Sequence, residues 1–351
     1  MLMRGGTSKG AFFVADDLPA DPDARDALLL RIMGSPDVRQ IDGVGGATPL
    51  TSKVAVVSAS ARADADIDYL FLQVSVDQAQ VSDRQNCGNL LAATAPFAIE
   101  RGLIDAPDED TAAVRVYMVN TDSIATAMIQ LSDGMPEYRG EASIDGVPGT
   151  AAPVQIDFAD IAGGSCGALL PTGNLVDSID GIEVTLIDNG MPVVVMRATD
   201  LGITGTESPP ELEADGSLRA RLESIRLQAG HLMHLGDVTE TTVPKLTMVS
   251  APTAGGDIST RTFIPHRCHE AIGVLGAVSV ATAALLPGTP AADALRPGAG
   301  ADGMLTCEHP SGAFTAAIDI DVSDTVPHVR SAGIIRTARK LMDGTVFPAE
   351  Y

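Results

Sequence analysis

The sequence is poor in basic residues and contains no long apolar run. Its 351 residues include 23 lysines and arginines against 46 aspartates and glutamates, which gives a formal net charge of −23 at pH 7. So acidic a surface repels nucleic acid and anionic membranes. No apolar segment approaches the roughly 20 residues that a membrane-spanning helix needs, and the start, MLMRGGTSKG, lacks the apolar core of a signal peptide. We therefore expect a soluble, cytoplasmic protein with neither nucleic acid nor a membrane as its partner.

Cysteine is also scarce. The chain has four widely separated cysteines without a CxxC pair, namely Cys87, Cys166, Cys268 and Cys307. This spacing excludes a disulfide-rich scaffold and is typical of thiols that stay reduced. In HRCHEAIG, His266, Cys268 and His269 could bind zinc, but no second ligand cluster completes a metal site. A specialised cysteine is therefore expected to act by its own chemistry.

Lysine occurs only at Lys9, Lys53, Lys245 and Lys340, while nineteen arginines supply the remaining positive charge. Arginine can replace lysine as a surface charge, but it cannot release its proton, whereas a buried lysine can become neutral and act as a base. Lys9, Lys53 and Lys245 all lie in segments marked by Gly, Ser, Thr or Pro that enter apolar runs. We interpret these three lysines as retained for a chemical role that arginine cannot fill. The alternative is a codon bias that removed the other lysines at random.

The two halves of the chain repeat one plan. Lys53 opens the strand-like run KVAVVSA, and Lys245 opens KLTMVSA. In each half a cysteine and an alanine-rich apolar segment follow, which indicates an internal duplication. We therefore predict two similar domains, residues 1–177 and 178–351, with the last residues packing back on the first domain.

The hydrophobic pattern predicts an α+β fold. Period-two alternation predicts strands at 68–77, 113–120, 124–131 and 314–322. A helix is predicted from Asp21 as N-cap to Gly34, and another in ELEADGSLRARLESIRLQAG. The alanine-rich segments lack a polar face, so each is predicted to be a helix buried on all sides. Each domain should thus be a curved, mainly antiparallel sheet around a central buried helix.

Cys87 stands between Asn86, Gly88 and Asn89, although a cysteine of the core would have apolar neighbours. At the first turn of a buried helix, the unpaired N–H groups and the helix dipole would favour a thiolate and attract a carboxylate. The alternative is a small buried side chain. We favour proton transfer by Cys87.

Lys53 follows GGATPLTS at the entry to a buried strand, where a lysine needs an anionic partner or the neutral form. The alternative is a strand-edge lysine that reaches water. In RGGTSKG, Gly10 stands where a Walker motif requires Ser or Thr, so no nucleotide site is expected. Arg4 and Lys9, with the neighbouring hydroxyls and N–H groups, could instead hold carboxylates; the alternative is a decorated hairpin turn.

A thiol and lysines on two facing, similar halves suit a small polycarboxylate. In the second half, Arg267 and His269 could bind an anion at a helix N-terminus, with Cys268 as the symmetric partner of Cys87. The chemistry that such groups favour is proton abstraction beside a carbonyl or carboxylate, because it needs a base, an acid and fixed positive charge for the enolate. No metal or organic cofactor is required for this reaction.

Several long motifs resemble the PrpF-type branch of the diaminopimelate epimerase-like fold. They are MRGGTSKG, QIDGVGG, LTSKVAVV, NCGN, IDNGMP, VPK, HRCH and EHPSG, and they extend over nearly the whole chain. Within this branch, MGSPDVRQIDG, CGALLPTGN, DNGMPVVVM and FIPHRCH resemble the tautomerases of 4-oxalomesaconate in gallate breakdown more than the 2-methylaconitate isomerases. Fewer apolar residues than usual precede MRGGTSKG, so we expect either a short first strand or a misplaced start codon.

The resemblance implies two barrel-like domains with the active site between them, Lys53 and Cys87 as catalytic residues, and a cofactor-independent conversion of the keto form of 4-oxalomesaconate to its enol. It implies a small tricarboxylate as partner and is compatible with a homodimer. The residues expected to hold the substrate are Arg4, Thr7, Ser8, Lys9, Gly45, Gly46, Asn86, Gly88, Asn89, Lys245, Arg267, Cys268, His269 and Ser311.

Three alternatives remain. The first is a 2-methylaconitate-type allylic isomerase, which would use the same proton transfer on another tricarboxylate. The second is a carboxylate-binding protein without catalysis. The third is an amino-acid epimerase, which would need both Cys87 and Cys268 as opposed acid and base, whereas the isomerase branch does without the second thiol.

Overall fold

The computed structural model describes residues 1–84, 86–158, 161–323 and 326–349. The chain forms two compact units, one of Met1–Ala159 with Ile335–Tyr351 and one of Asp160–Ile334. Segment 161–176 belongs to the second unit, because the N–H groups of Ser165 and Cys166 donate to Asp188 Oδ2 at 2.8 and 2.9 Å. The units therefore meet in the sequence ahead of the boundary predicted after residue 177. In the described part of the chain, no helix has the length and apolarity to cross a membrane.

The first unit is built from strands that close into a ring. Its strands are β1 (Leu2–Gly5), β2 (Ser8–Val14), β3 (Lys53–Ala59), β4 (Ile67–Val74), β5 (Val81–Ser82), β6 (Thr111–Met118), β7 (Ser123–Ser132), β8 (Met135–Pro136) and β9 (Pro153–Phe158), and its helices are α1 (Pro22–Met33), α2 (Gly88–Leu91) and α3 (Thr94–Glu100). The last strand of the chain, β17 (His328–Met342), pairs with both β9 and β1. The pairing order β1, β2, β3, β4, β6, β7, β9, β17 thus returns to β1.

The two faces of this sheet have different partners. On one face, Phe12 lies 5.6 Å from Phe97 of α3, measured between ring centroids, and residues 90–99 are buried. We call this the inner face. On the other, outer face, Ala11 of β2 belongs to a cluster with residues of α1. Since side chains alternate along a strand, each residue of β1 to β4 can be assigned to one of these faces.

Helix α1 begins and ends where the sequence predicts. The Asp21 side chain accepts a hydrogen bond from Ala24 N at 2.9 Å, Pro22 is the first helical residue, and Gly34 closes the helix with a φ of 80°. The left-handed conformation at Gly34 carries little penalty for glycine.

The second unit repeats this architecture. Its strands are β10 (Asp177–Ile179), β11 (Ile182–Asp188), β12 (Pro192–Arg197), β13 (Lys245–Ser250), β14 (Ile258–Phe263), β15 (Met304–His309), β16 (Gly312–Asp321) and the start of β17, and its helices are α4 (Pro209–Ala214), α5 (Gly216–Leu232), α6 (Val274–Ala284) and α7 (Pro290–Ala294). Helix α6 packs on β11, β12, β15 and β16, and residues 276–284 are buried. The predicted sheet around a buried helix is therefore confirmed.

The order of parallel and antiparallel pairs is the same in both units. From β1 to β9 the pairs are antiparallel, parallel, antiparallel, parallel, antiparallel and antiparallel. From β11 to β17 the same order recurs. The strands that start at Lys53 and Lys245 occupy the same place in this order, as the duplication predicts.

Two predicted helices are each divided in two. After Cys87, the segment forms α2 and α3 because Pro96 lacks an N–H group and its ring would clash with the carbonyl of Ala92 in a continuous helix. In the second unit, Asp215 ends α4 and caps α5, accepting from the N–H groups of Ser217 and Leu218 at 2.9 Å. Both divisions follow from local residues within the predicted segments.

Candidate active site

Lys53 and Cys87 lie on the inner face of the first unit. In the β3–β4 ladder Lys53 pairs with Gln73 and Val57 with Tyr69, so these side chains share a face. Lys53 Nζ lies 4.9 Å from the centroid of the Phe71 ring, and Tyr69 OH donates to Cys87 O at 3.3 Å. Tyr69 and Phe71 are two residues apart on one strand, about 7 Å at 3.3 Å per residue. The lysine and the cysteine therefore lie beside neighbouring rings of β4.

Lys53 is held in one orientation by Gln73. The lysine is 7% exposed, and its Nζ donates to Gln73 Oε1 at 3.0 Å. Gln73 Nε2 in turn donates to Ser52 O at 2.9 Å and to Pro49 O at 3.1 Å, which fixes the orientation of the amide. Among the described residues, no carboxylate forms an ion pair with Lys53. Its cation thus remains available to an anion brought by a ligand.

Cys87 is the N-cap residue of α2 and is 8% exposed. Its N–H group donates to Asn86 Oδ1 at 2.8 Å, while Asn86 Nδ2 donates to Met118 Sδ at 2.7 Å. Burial raises the pKa of Tyr69 well above its ordinary value, so the phenol that holds Cys87 O remains a donor. Helix α2 has one turn, so its dipole is weaker than that of the long helix predicted from the sequence.

The turn RGGTSKG lies directly against the start of α2. A Cβ atom at Gly5 would be 2.4 Å from Asn89 O, and one at Gly6 would be 2.2 Å from Asn89 Oδ1. Asn89 Nδ2 donates to Thr7 Oγ1 at 3.1 Å. Glycine is required at Gly5 because the backbone of Asn89 lies against it, and at Gly6 because the Asn89 side chain lies there and φ is 51°. The turn and the helix therefore position each other.

Ser8 offers a hydroxyl with no partner. Its side chain is 1% exposed, and its Oγ has no hydrogen bond in the described structure. Ser8 pairs with Gly5, and alternation along β2 places it on the inner face with Lys53. Because a buried hydroxyl without a partner is costly, Ser8 is well suited to bind a ligand oxygen. The space around Gly88 is also open, since a Cβ at Gly88 would meet no atom within 4 Å.

Two further residues on this face were not predicted from the sequence. Arg336 of β17 is buried, and its Nε donates to Asn89 Oδ1 at 3.1 Å; burial lowers its pKa to about 10. Gln73 is the other. Arg336 comes from a strand remote in sequence from Cys87 and Gln73 from a nearby one, and neither stands in a recognisable motif. Strand pairing alone places them.

Arg4 and Lys9 lie on the outer face, away from Lys53. They pair with each other across β1 and β2, and Arg4 Nη1 donates to Gly6 O, Thr337 O and Thr337 Oγ1, each at 2.9 Å. Gly46 lies beside Lys9, where a Cβ would be 3.1 Å from Lys9 Nζ. Gly45 packs on Gln40 in the same loop. The side chains of Arg4 and Lys9 therefore point to the other face of the sheet from Lys53, although Ser8 lines a pocket together with them.

In the second unit, Lys245 and His269 influence each other. Burial and the charge of Arg226 lower the pKa of Lys245. Burial, and then the charge of Lys245, lower the pKa of His269, whose Nδ1 accepts from Ala271 N at 2.8 Å. A nearby anion would raise the pKa of both groups, so their protonation would respond to an anionic ligand.

Cys268 does not occupy the position predicted for it. Helix α6 begins at Val274 with Gly273 as N-cap, whereas Cys268 pairs with Phe263 at the end of β14, after a turn closed by Ile264 N donating to Arg267 O. Burial raises the pKa of the Cys268 thiol to about 11. Cys268 is therefore a protonated thiol outside the helix N-terminus at neutral pH, and not the structural counterpart of Cys87.

Arg267 and Ser311 lie in exposed positions. The side chain of Arg267 is 80% exposed and pairs with Glu213 at 2.9 Å. Ser311 Oγ lies 3.3 Å from His309 Nδ1 in the turn between β15 and β16. Within the described residues, no group of three His, Cys, Asp or Glu side chains has the arrangement of a metal site.

The inner face can move protons. It combines a thiol, an amine, an unpaired hydroxyl and the buried guanidinium of Arg336 in a largely dehydrated setting, where charges act more strongly than in water. This set suits removal of a carbon-bound proton and stabilisation of the resulting anion.

Comparison with known proteins places these features in context. The family model described as PrpF protein matches residues 1–348. The chain is 58% identical over 347 residues to the (4E)-oxalomesaconate Delta-isomerase of Novosphingobium sp. strain KA1, covering 99% of this chain and 96% of that protein. It is 56% identical over 346 residues to the 4-oxalomesaconate tautomerase of Pseudomonas putida, covering 99% and 94%. The crystal structure of a methylitaconate-delta-isomerase aligns with a TM-score of 0.84 at 36% identity, over 98% of this chain and 93% of that one.

Proposed function

Since the chain belongs to the PrpF family, we propose that it is an isomerase that converts the keto form of 4-oxalomesaconate to the enol form without a cofactor. The observation that carries this proposal is the near full-length similarity to two proteins that are named for 4-oxalomesaconate and share more than half of their residues with this chain. The inner face of the first unit supplies chemistry that fits the reaction.

The reaction moves one proton. The keto form has a methylene group beside its oxo group; a base removes one of its protons, and an acid protonates the enolate oxygen. The proton lost from carbon is thus balanced by the one gained on oxygen. We assign these two roles to Lys53 and Cys87, which lie beside neighbouring rings of β4. The positive charges of Lys53 and Arg336 stabilise the enolate between the two transfers.

Carboxylates of the substrate are held by polar groups around α2. Ser8 Oγ has no partner, and Arg336 Nε and Asn89 already form a polar pair at the helix start. Lys245 and His269 of the second unit stay predicted carboxylate-binding residues, because a bound anion would raise the pKa values that burial lowers. Arg4 and Lys9, on the outer face, are left out of this assignment.

A second candidate is allylic isomerisation of a related acid. It is favoured by the structural similarity to methylitaconate-delta-isomerase and by 39% identity, over 98% of this chain, to the 2-methyl-aconitate isomerase of Shewanella oneidensis. Both reactions begin with the loss of a proton beside an unsaturated carboxylate, so the same pair of residues would serve.

The test is an absorbance assay of enol formation from 4-oxalomesaconate with purified protein, run in parallel with an NMR assay of double-bond isomerisation in 2-methylaconitate. We expect acceleration of enol formation in proportion to protein concentration, and faster turnover of 4-oxalomesaconate. Faster turnover of 2-methylaconitate would favour the second candidate. A rise in Tm with 4-oxalomesaconate but without turnover would contradict both and indicate a binding protein. The cytoplasmic location, the homodimer and a place in gallate breakdown stay predictions.

A further inference from the structure

The outer face of the first unit carries a row of three positive charges. Arg4 pairs with Lys9 of β2 on one side and with Arg339 of β17 on the other. Directly paired residues of neighbouring strands point to the same face, and adjacent strands lie about 4.8 Å apart, so the row extends over about 10 Å. Like charges in this arrangement repel each other.

No carboxylate of the described chain neutralises this row. Neither Lys9 nor Arg339 forms an ion pair within the described residues, and Arg4 donates to backbone carbonyls and to Thr337. Burial, and then the charge of Arg339, lower the pKa of Arg4. In a chain of net charge −23, acidic partners are abundant elsewhere, so a row without one is unusual.

A pocket of about 800 Å³ opens over these side chains, and its lining includes Arg4, Lys9, Arg339, Arg139 and Glu141. Arg139 also has no ion pair among the described residues. Lys340, a fifth lining cation, pairs with Glu100, so four cations without an ion pair share the pocket with the lining carboxylate of Glu141. The pocket is large enough for a small organic acid.

We propose that this pocket is a second binding site, separate from the Lys53–Cys87 face, for a small polycarboxylate. A row of cations on neighbouring strands, which lie about 4.8 Å apart, matches two or three carboxylates on a short carbon chain better than it matches a single compact anion. Ser8 also lines the pocket, but the side chains of Arg4, Lys9 and Arg339 lie on the other face of the sheet from Lys53, so the cations of this site are separate from the proton-transfer pair.

The experiment is calorimetric titration of the whole protein at low ionic strength with tricarballylate, a saturated tricarboxylate, and in separate arms with inorganic phosphate and acetate. The test variants are Arg339→Gln and Arg139→Gln. The matched control is Arg330→Gln, which removes an exposed arginine from the second unit. We expect each test variant to bind tricarballylate at this site about tenfold more weakly, which is the effect of losing one charged hydrogen bond.

Three further results would support the proposal. The Arg330→Gln variant should bind as the parent does, all variants should keep the parent's rate of enol formation and Tm, and affinity should fall as salt rises. Unchanged tricarballylate affinity in both test variants would overturn the proposal. Equal affinity for phosphate would overturn the polycarboxylate assignment, and an equal loss in the Arg330→Gln variant would show a general charge effect instead of a site.

Discussion

The buried helix of the first unit begins after Cys87, whereas that of the second unit begins after Gly273. The strands of both units pair in the same order, so this difference lies in the side chains and not in the fold. A thiol with no counterpart across the duplication argues for an asymmetric reaction. In the proposed assignment, the first unit supplies both proton-transfer groups.

Lys53 and Lys245, the first residues of β3 and β13, also differ between the two units. Lys53 has a fixed acceptor in Gln73 and a ring beneath it, whereas Lys245 has no hydrogen-bond acceptor among the described residues and a pKa lowered by burial and by Arg226. The β13–β14 register pairs Leu246 with Phe263. Opposite Lys245 the next residue is Ile264, which offers no side-chain acceptor. A side chain that is held in place is a better proton carrier than one that is free.

The largest expected effect separates the two cysteines. Cys87→Ala should lower kcat for enol formation by about 10²- to 10⁴-fold, the usual loss when an acid–base group is removed. Cys268→Ala should leave kcat near the parent value, because its thiol stays protonated at neutral pH. Steady-state rates of the two variants check this. An inactive Cys268→Ala protein that still folds would restore the symmetric, epimerase-like alternative.

The two lysines should separate kcat from KM. Lys53→Ala is expected to lose kcat by about 10²-fold or more, as an acid–base group does. Lys245→Ala should raise KM by about tenfold, with a smaller change in kcat, because it removes a charged contact to the substrate. A loss of kcat at unchanged KM in Lys245→Ala would contradict the assignment of proton transfer to Lys53 and of substrate binding to Lys245.

Gln73→Leu tests whether the fixed orientation of Lys53 matters. This variant removes the acceptor for Nζ and the donor to Ser52 O and Pro49 O. We expect about tenfold lower kcat at unchanged KM, and a loss of about 1 to 3 kcal/mol in the free energy of unfolding. Gln73→Glu, which keeps an acceptor, should recover part of kcat. A loss of stability without any loss of kcat would assign Gln73 a structural role.

The smallest effect concerns His269. Burial and Lys245 lower its pKa below the ordinary value of 6.5, while Glu270 acts in the opposite direction. As pH falls through about 6.5 the unfolded histidine takes up a proton before the folded one does, so stability decreases. His269→Gln should therefore lose less Tm between pH 7.5 and 5.5 than the parent, by thermal denaturation. An equal or larger loss in the variant would contradict this sign.

The sequence was sufficient for the family, the α+β class, the buried helices and the caps of α1, because each depends on local residues or long motifs. It was not sufficient for the sites. Gln73 is twenty positions from Lys53 and acts through a strand pair. Alternation of side chains along SKGAFF could have shown that Ser8 and Lys9 point to opposite faces of the sheet. The turn RGGTSKG was instead interpreted as one carboxylate-binding loop. The division of the helix after Cys87 into α2 and α3 could have been predicted, because Pro96 lies inside that segment.

Strand β1 depends on the end of the chain. One of its edges pairs with Ala338, Arg339, Lys340 and Met342 of β17, which are synthesised long after β1. Until the ribosome has released them, the first unit has an open ring with an unpaired edge, and such edges attract other chains. Strand β1 is thus synthesised early, but its pairing with β17 can form only late. A nascent chain stalled before residue 335 should accordingly need protection from aggregation, even though nearly all of its inner face has already been made.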